Sequence, residues 1–168
     1  MIKCMFFSVL FSLSFVLFQT AILDSFFLFP IVPDFLLILV LFLGLYNGSL
    51  FGEIHGFFTG LLIDFLTIGP LGLYALLFSL LGFLSGLLKK NVNTSGFFLV
   101  LFLGFLAFII KTLILYLLNF FFPNLITYYS LLSPATYIEL GLTALFTPII
   151  FKFLNLFSSY LLIENPGR

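Results

Sequence analysis

Long apolar runs, broken at wide intervals by proline, glycine and asparagine, dominate the pattern of this chain. A helix that crosses a bilayer needs about 20 mostly apolar residues at about 1.5 Å of rise each. Dividing the chain at its polar and Gly/Pro breaks predicts six such helices, over residues 5–23, 35–46, 49–68, 71–88, 97–121 and 137–156. The second is short for a full crossing. Pro30 and Pro33 cannot continue a helix, and Asp34, directly after them, is placed to cap the second one. Asn47-Gly48 and Gly69-Pro70 read as tight turns, and Pro123-Asn124 opens the longest connection, through Pro134.

Composition leaves such helices no place but a bilayer. Of 168 residues, 63% are hydrophobic and 7% charged, with a mean hydropathy of +1.36, whereas a soluble domain carries about 25% charged residues. Six basic and six acidic side chains cannot make a sphere of this size wettable. The expectation is one all-α, polytopic membrane domain across residues 1–168. A net charge of zero gives no argument for nucleic acid. The single cysteine, Cys4, can form neither an internal disulfide nor a thiolate metal cluster. The 28 phenylalanines read as filler for lipid-facing positions.

Charge placement suggests an orientation. Lys3 precedes the first span, Lys89 and Lys90 follow the fourth, Lys152 ends the sixth and Arg168 closes the tail. The connections after spans one, three and five hold no Lys or Arg. Basic residues stay in the cytoplasm, so an even number of spans puts both termini there. Lys3 followed by an apolar run has the look of a signal peptide, but no small-x-small cleavage site follows, and an uncleaved anchor is expected.

Small residues mark the packing faces. Bundles in lipid are held by close backbone approach and interhelical hydrogen bonds. Gly52, Gly56 and Gly60 recur every four residues in span three, with Asp64 continuing the interval. In span four Gly72, Ala75, Ser79, Gly82 and Gly86 fall within an arc of about 80° at about 100° per residue. A very short turn joins these spans, so they should form a tight antiparallel hairpin, with Gly52, Gly56, Gly60, Gly72, Ser79, Gly82 and Gly86 as its packing residues.

Ionisable groups at membrane depth are expensive and usually face the bundle interior. Asp34, Glu53, Asp64, Lys111 and Glu139 are the candidates. In the proposed orientation Asp34, Asp64, Lys111 and Glu139 share the outer leaflet, and Lys111 is expected to be neutralised by Asp64 or Glu139. Glu53 and His55 lie near the cytoplasmic end of span three and point about 200° apart. They are no catalytic pair. His55, the only histidine, reads as an interfacial hydrogen-bonding residue, and alone it cannot build a His-Glu-x-x-His zinc site. Asp34 and Asp64 lack the flanking motifs of an intramembrane aspartyl protease, and no Gly loop with a Lys cradles phosphate. No catalysis, cofactor or metal is expected.

Pro33-Asp34-Phe35-Leu36-Leu37, at the start of span two, resembles the same segment in the rod shape-determining protein MreD family. The run from Gly56 to Ala75 resembles it further: glycines at 56 and 60, Leu-x-x-Asp ending at Asp64, then Pro70-Leu71-Gly72-Leu73 at the head of the next helix. Pro33, Asp34, Gly56, Gly60, Asp64, Pro70 and Gly72 carry over, as structural positions. The connection from Pro123 to Ser133 carries no motif that matches. The resemblance implies an integral membrane subunit of the machinery that builds the lateral wall of rod-shaped bacteria. It implies an MreC-like single-span partner and, through it, the MreB filament and the peptidoglycan synthases. It also implies a six-helix bundle similar to the substrate-binding subunits of energy-coupling-factor transporters.

The leading expectation is a non-enzymatic scaffold. The alternative is a small-molecule-binding transport subunit of the energy-coupling-factor type. That reading needs an outer pocket lined by residues such as Asp64, Lys111, Tyr128 and Glu139, and small residues on span one, such as Ser8 and Ser12, facing a coupling subunit.

Overall fold

The computed structural model describes residues 2–19, 32–67, 70–90, 96–121 and 133–163. Among these residues every regular element is helical: α1 (Ile2–Phe18), α2 (Phe35–Asn47), α3 (Ser49–Leu66), α4 (Leu73–Leu87), α5 (Phe97–Phe121), α6 (Pro134–Leu156) and α7 (Ser158–Leu161). A 3₁₀ turn at Leu88–Lys90 prolongs α4. Helices α3, α5 and α6 are long and apolar enough to cross a bilayer, while α1, α2 and α4 are apolar but shorter. The far end of the first expected span, Tyr128 and most of the long connection lie outside the described residues.

The shortest of the expected spans is the centre of the bundle. Every residue from Phe35 to Leu45 in α2 is buried, and α2 packs against α1, α3, α4, α5 and α6. A helix apolar on all sides has no lipid face to protect and can be enclosed completely. Its 13 residues span only about 20 Å, against a hydrocarbon core of about 30 Å. Its neighbours make up the shell. Gly48, with φ of 102°, ends α2 and starts α3, a backbone shape that side chains with a Cβ resist.

Helices α3 and α4 form the closest pair. A Cβ on Gly52 would strike the Gly82 carbonyl, and one on Gly82 would strike Gly52. One on Gly56 would strike the Phe78 carbonyl, and one on Gly60 that of Tyr74. Each step of four up α3 meets a step of four down α4, which is the register of an antiparallel hairpin. At its other end Gly86 lies against Ser49. Gly44 of α2 meets the same surface, close to Gly52, Gly82 and Ser85, so three backbones converge there.

Two expected packing residues behave differently. Gly72 lies before the first turn of α4 with φ of 95°, and a Cβ there would meet nothing within 4 Å. It shapes a turn and closes no interface. Ser79 offers its backbone to Gly56, but its side chain is only half-buried.

Helix α6 starts at Pro134, three residues before the expected 137, because Ser133 caps it by accepting from the Thr136 N–H and proline suits the first turn. Pro148 inside α6 withdraws one backbone donor. Beside it the Thr147 hydroxyl donates to the Thr143 carbonyl at 2.6 Å. Gly104 of α5 leaves the space that the Thr147 side chain occupies.

Candidate functional site

Helix α5 turns Val100, Leu103, Gly104, Ala107, Phe108, Lys111, Thr112 and Leu115 inward as one stripe at helical spacing. Lys111 therefore projects into the bundle. Its Nζ donates to Asp34 Oδ2 at 2.6 Å and to Glu139 Oε1 at 3.4 Å, and lies 5.1 Å from the centre of the Phe108 ring. Asp34 also accepts from the Leu37 N–H through Oδ1 at 2.9 Å, capping α2, and its own N–H donates to the Thr143 hydroxyl at 3.0 Å. Asp34 thus ties α2 to α5 through its carboxylate and to α6 through its backbone N–H. The Lys111 and Asp34 side chains are 7% and 8% exposed, while Glu139 is 26% exposed. Asp34 is the enclosed partner and Glu139 the outer one.

Of the two acids expected to neutralise Lys111, Glu139 pairs with it, joined by Asp34, and Asp64 is engaged elsewhere. The buried Asp64 carboxylate accepts from the Gly72 N–H (3.0 Å) and the Ala75 N–H (3.1 Å) on Oδ2, and from the Tyr74 N–H (3.0 Å) on Oδ1. The first N–H groups of a helix lack partners within it, and the helix dipole there favours an anion. Gly72 at the start of α4 has no side chain to cap with. Asp64 of the preceding helix does so instead, which explains why an aspartate on α3 is followed by a Pro-Leu-Gly-Leu turn.

His55 is likewise deeper than an interfacial residue. It is fully buried, and its Nε2 lies 3.2 Å from the Ser12 hydroxyl of α1 and 3.1 Å from the Thr59 hydroxyl one turn along α3. The two hydroxyls are 3.0 Å apart. This three-membered network holds α1 on the bundle. Phe51 stacks near the imidazole, with ring centroids 6.3 Å apart. At the opposite end of α1, Cys4 donates to the Leu161 carbonyl, and Asn47 both donates to Leu161 and accepts from the Ile163 N–H. Glu53, facing away from His55, is exposed.

Several of these residues escape the motif search. Gly44 and Gly104 leave room for neighbours as close as those of the α3 glycines, and Thr143 and Thr147 bond within the interior. For Gly104 a signal exists: it lies on the same helical stripe as Lys111, Thr112 and Ala107. No group of three or more His, Cys, Asp or Glu residues that could hold a metal ion occurs among the described residues. Most polar side chains of the described interior are bound to one another, to helix ends or to a carbonyl of their own helix, while the buried His55 Nδ1 has no partner. What they do is fix how helices sit.

A chain whose described residues are all-helical, with three helices among them fit to cross a bilayer and its buried charges turned onto one another or onto a helix end, is an integral membrane protein whose polar groups hold a bundle in shape. The model of the family described as rod shape-determining protein MreD matches residues 1–157. The chain belongs to that family, and so to the machinery that determines rod shape, in which it works with partners. The family is one of shape-determining structural proteins. No curated protein and no solved structure matches the chain.

Proposed function

We propose that this protein is a non-enzymatic scaffold of the lateral wall-building machinery, crossing the bacterial cytoplasmic membrane six times with both termini in the cytoplasm. It holds an MreC-like single-span protein and, through it, links the MreB filament to the peptidoglycan synthases. The observation that carries this reading is the use of the interior ions. Asp34, Lys111 and Glu139 bind one another, and Asp64 caps α4, so these groups are occupied in building the bundle. A reaction would need a nucleophile and an oriented base with room for a substrate. His55 is fully enclosed between two hydroxyls instead.

The topology rests on charge and on the helices together. Helices α1, α2 and α4 are short as isolated crossings, but α2 is sheathed by its neighbours, and the Leu88–Lys90 turn lengthens α4 at the end rich in lysine. The same arrangement of six helices would resemble the binding subunits of energy-coupling-factor transporters. The transport reading itself is weakened, because the hydroxyls of Ser8 and Ser12 are buried and bonded within the bundle and so offer nothing to a coupling subunit.

Purification of the tagged protein in mild detergent, with its companions identified, tests the proposal. Recovery of an MreC-like protein with wall-synthesis components is expected. Recovery of a transporter ATPase module in their place overturns it.

A further inference from the structure

Glu53 is unlike the other carboxylates of the described helices. Asp34, Asp64 and Glu139 each bind a partner within the bundle, whereas the Glu53 side chain is exposed and, among the described residues, makes no hydrogen bond or ion pair. It stands at one end of a groove of about 650 Å³ between α3 and α4, walled by Glu53 and Phe57 of α3 and by Ala75, Leu76, Ser79 and Phe83 of α4. Phe57, Leu76 and Phe83 are exposed, so the groove opens outward from the bundle. Its floor is made of small side chains where the glycine-lined helices come closest. Small residues are what let a further helix approach a backbone in lipid.

Glu53 lies one turn inside α3, at the end of the hairpin where Gly48 meets Lys89. In the orientation proposed above, that end is cytoplasmic. A carboxylate there, beside an apolar groove, is satisfied best by a cation at the same depth. Transmembrane helices that enter from the cytoplasm carry Lys or Arg at that boundary. A helix laid along the groove would bring such a residue to Glu53 while its apolar side chains fill the space between Phe57 and Phe83.

We infer that the α3–α4 groove is the docking site for a single transmembrane helix bearing Lys or Arg at its cytoplasmic end, with Glu53 setting its depth. This deepens the scaffold reading and rests on it. The charge, the groove and the small floor coincide at one place on the surface.

The test places a photo-crosslinking amino acid at Leu76 or Leu80 of the full-length protein in living rod-shaped cells, with Ile149 of α6 as the control position. Adducts to a single-span protein with a basic cytoplasmic flank are expected at 76 and 80 and not at 149. Glu53→Lys should lower their yield about tenfold, and changing the partner's basic residue to Glu should restore it. Ser79→Phe, which fills the groove and leaves the charge, should lower the yield as much. Adducts only to lipid or to a second copy overturn the inference, as does a yield indifferent to both variants. Cells that stay rod-shaped when the protein is depleted refute the scaffold role, whatever the groove holds. Round cells without groove adducts refute the groove alone.

Discussion

Removing the lysine from the interior triad is the sharpest physical test of how the bundle is held. Lys111→Met leaves the Asp34 carboxylate, with a side chain 8% exposed, facing Glu139 with no cation between them. Breaking a buried pair by deleting one partner costs about 3–5 kcal/mol. Asp34→Asn is milder. The amide oxygen can still accept from the Leu37 N–H and cap α2, and Lys111 keeps Glu139 at 3.4 Å. The loss is one charge-assisted hydrogen bond, about 1.5–3 kcal/mol. The double variant leaves only Glu139 charged, and its side chain, 26% exposed, can turn toward water or headgroups. Its cost should therefore fall below the sum of the single costs by about 2 kcal/mol, within the range seen for residues in contact. Unfolding by SDS in mixed micelles, followed by circular dichroism, supplies the free energies. The buried thiol of Cys4 gives a second probe through its reaction with a maleimide dye. Costs that add to within about 0.5 kcal/mol would show that Lys111 and Asp34 are not coupled, and the reasoning would fail.

Two further substitutions separate the roles assigned to the motif. Asp64→Ala strands the N–H groups of Gly72, Tyr74 and Ala75, so it should cost about 3 kcal/mol or more, and Asp64→Asn, which keeps an acceptor, about half of that; equal costs in the same SDS titration would contradict the capping role. Gly56→Ala drives a methyl into the Phe78 backbone and should cost about 1–3 kcal/mol or more. Gly72→Ala meets open space and carries only the strain of φ at 95°, about 1–2 kcal/mol. If Gly72→Ala proved the more damaging, close packing at Gly56 would be the wrong explanation.

The helical class of the chain was legible because lipid requires every backbone group to be satisfied within a span, and because Asn47-Gly48 and the Pro-Leu-Gly turn punctuate the apolar runs. The glycine repeat of α3 was legible for the same reason: at four-residue spacing it can only be one ridge. Rotation and neighbourhood were not legible. Depth alone placed Asp34, Asp64 and Glu139 equally near Lys111, and it took the enclosure of α2 by five helices to bring Asp34 to 2.6 Å. Gly72 entered the packing arc only because the helix was started too early; with α4 beginning at Leu73, its place is the turn. His55 was read at the surface because a lone imidazole has no partner in its own sequence window except Thr59, while Ser12 arrives from another helix. The central position of α2 had one available sign, eleven consecutive buried residues without a polar side chain, which looks from the sequence like any other lipid-facing run.

Cell shape gives the decisive reading of what the bundle is for. In a rod-shaped host depleted of its own copy, expression of this chain should restore rods of normal width. The Lys111→Met variant, if its bundle is lost, should leave the cells round. Cells that keep their cylinders through depletion while losing the ability to grow without a supplied vitamin would contradict the scaffold and favour a transporter.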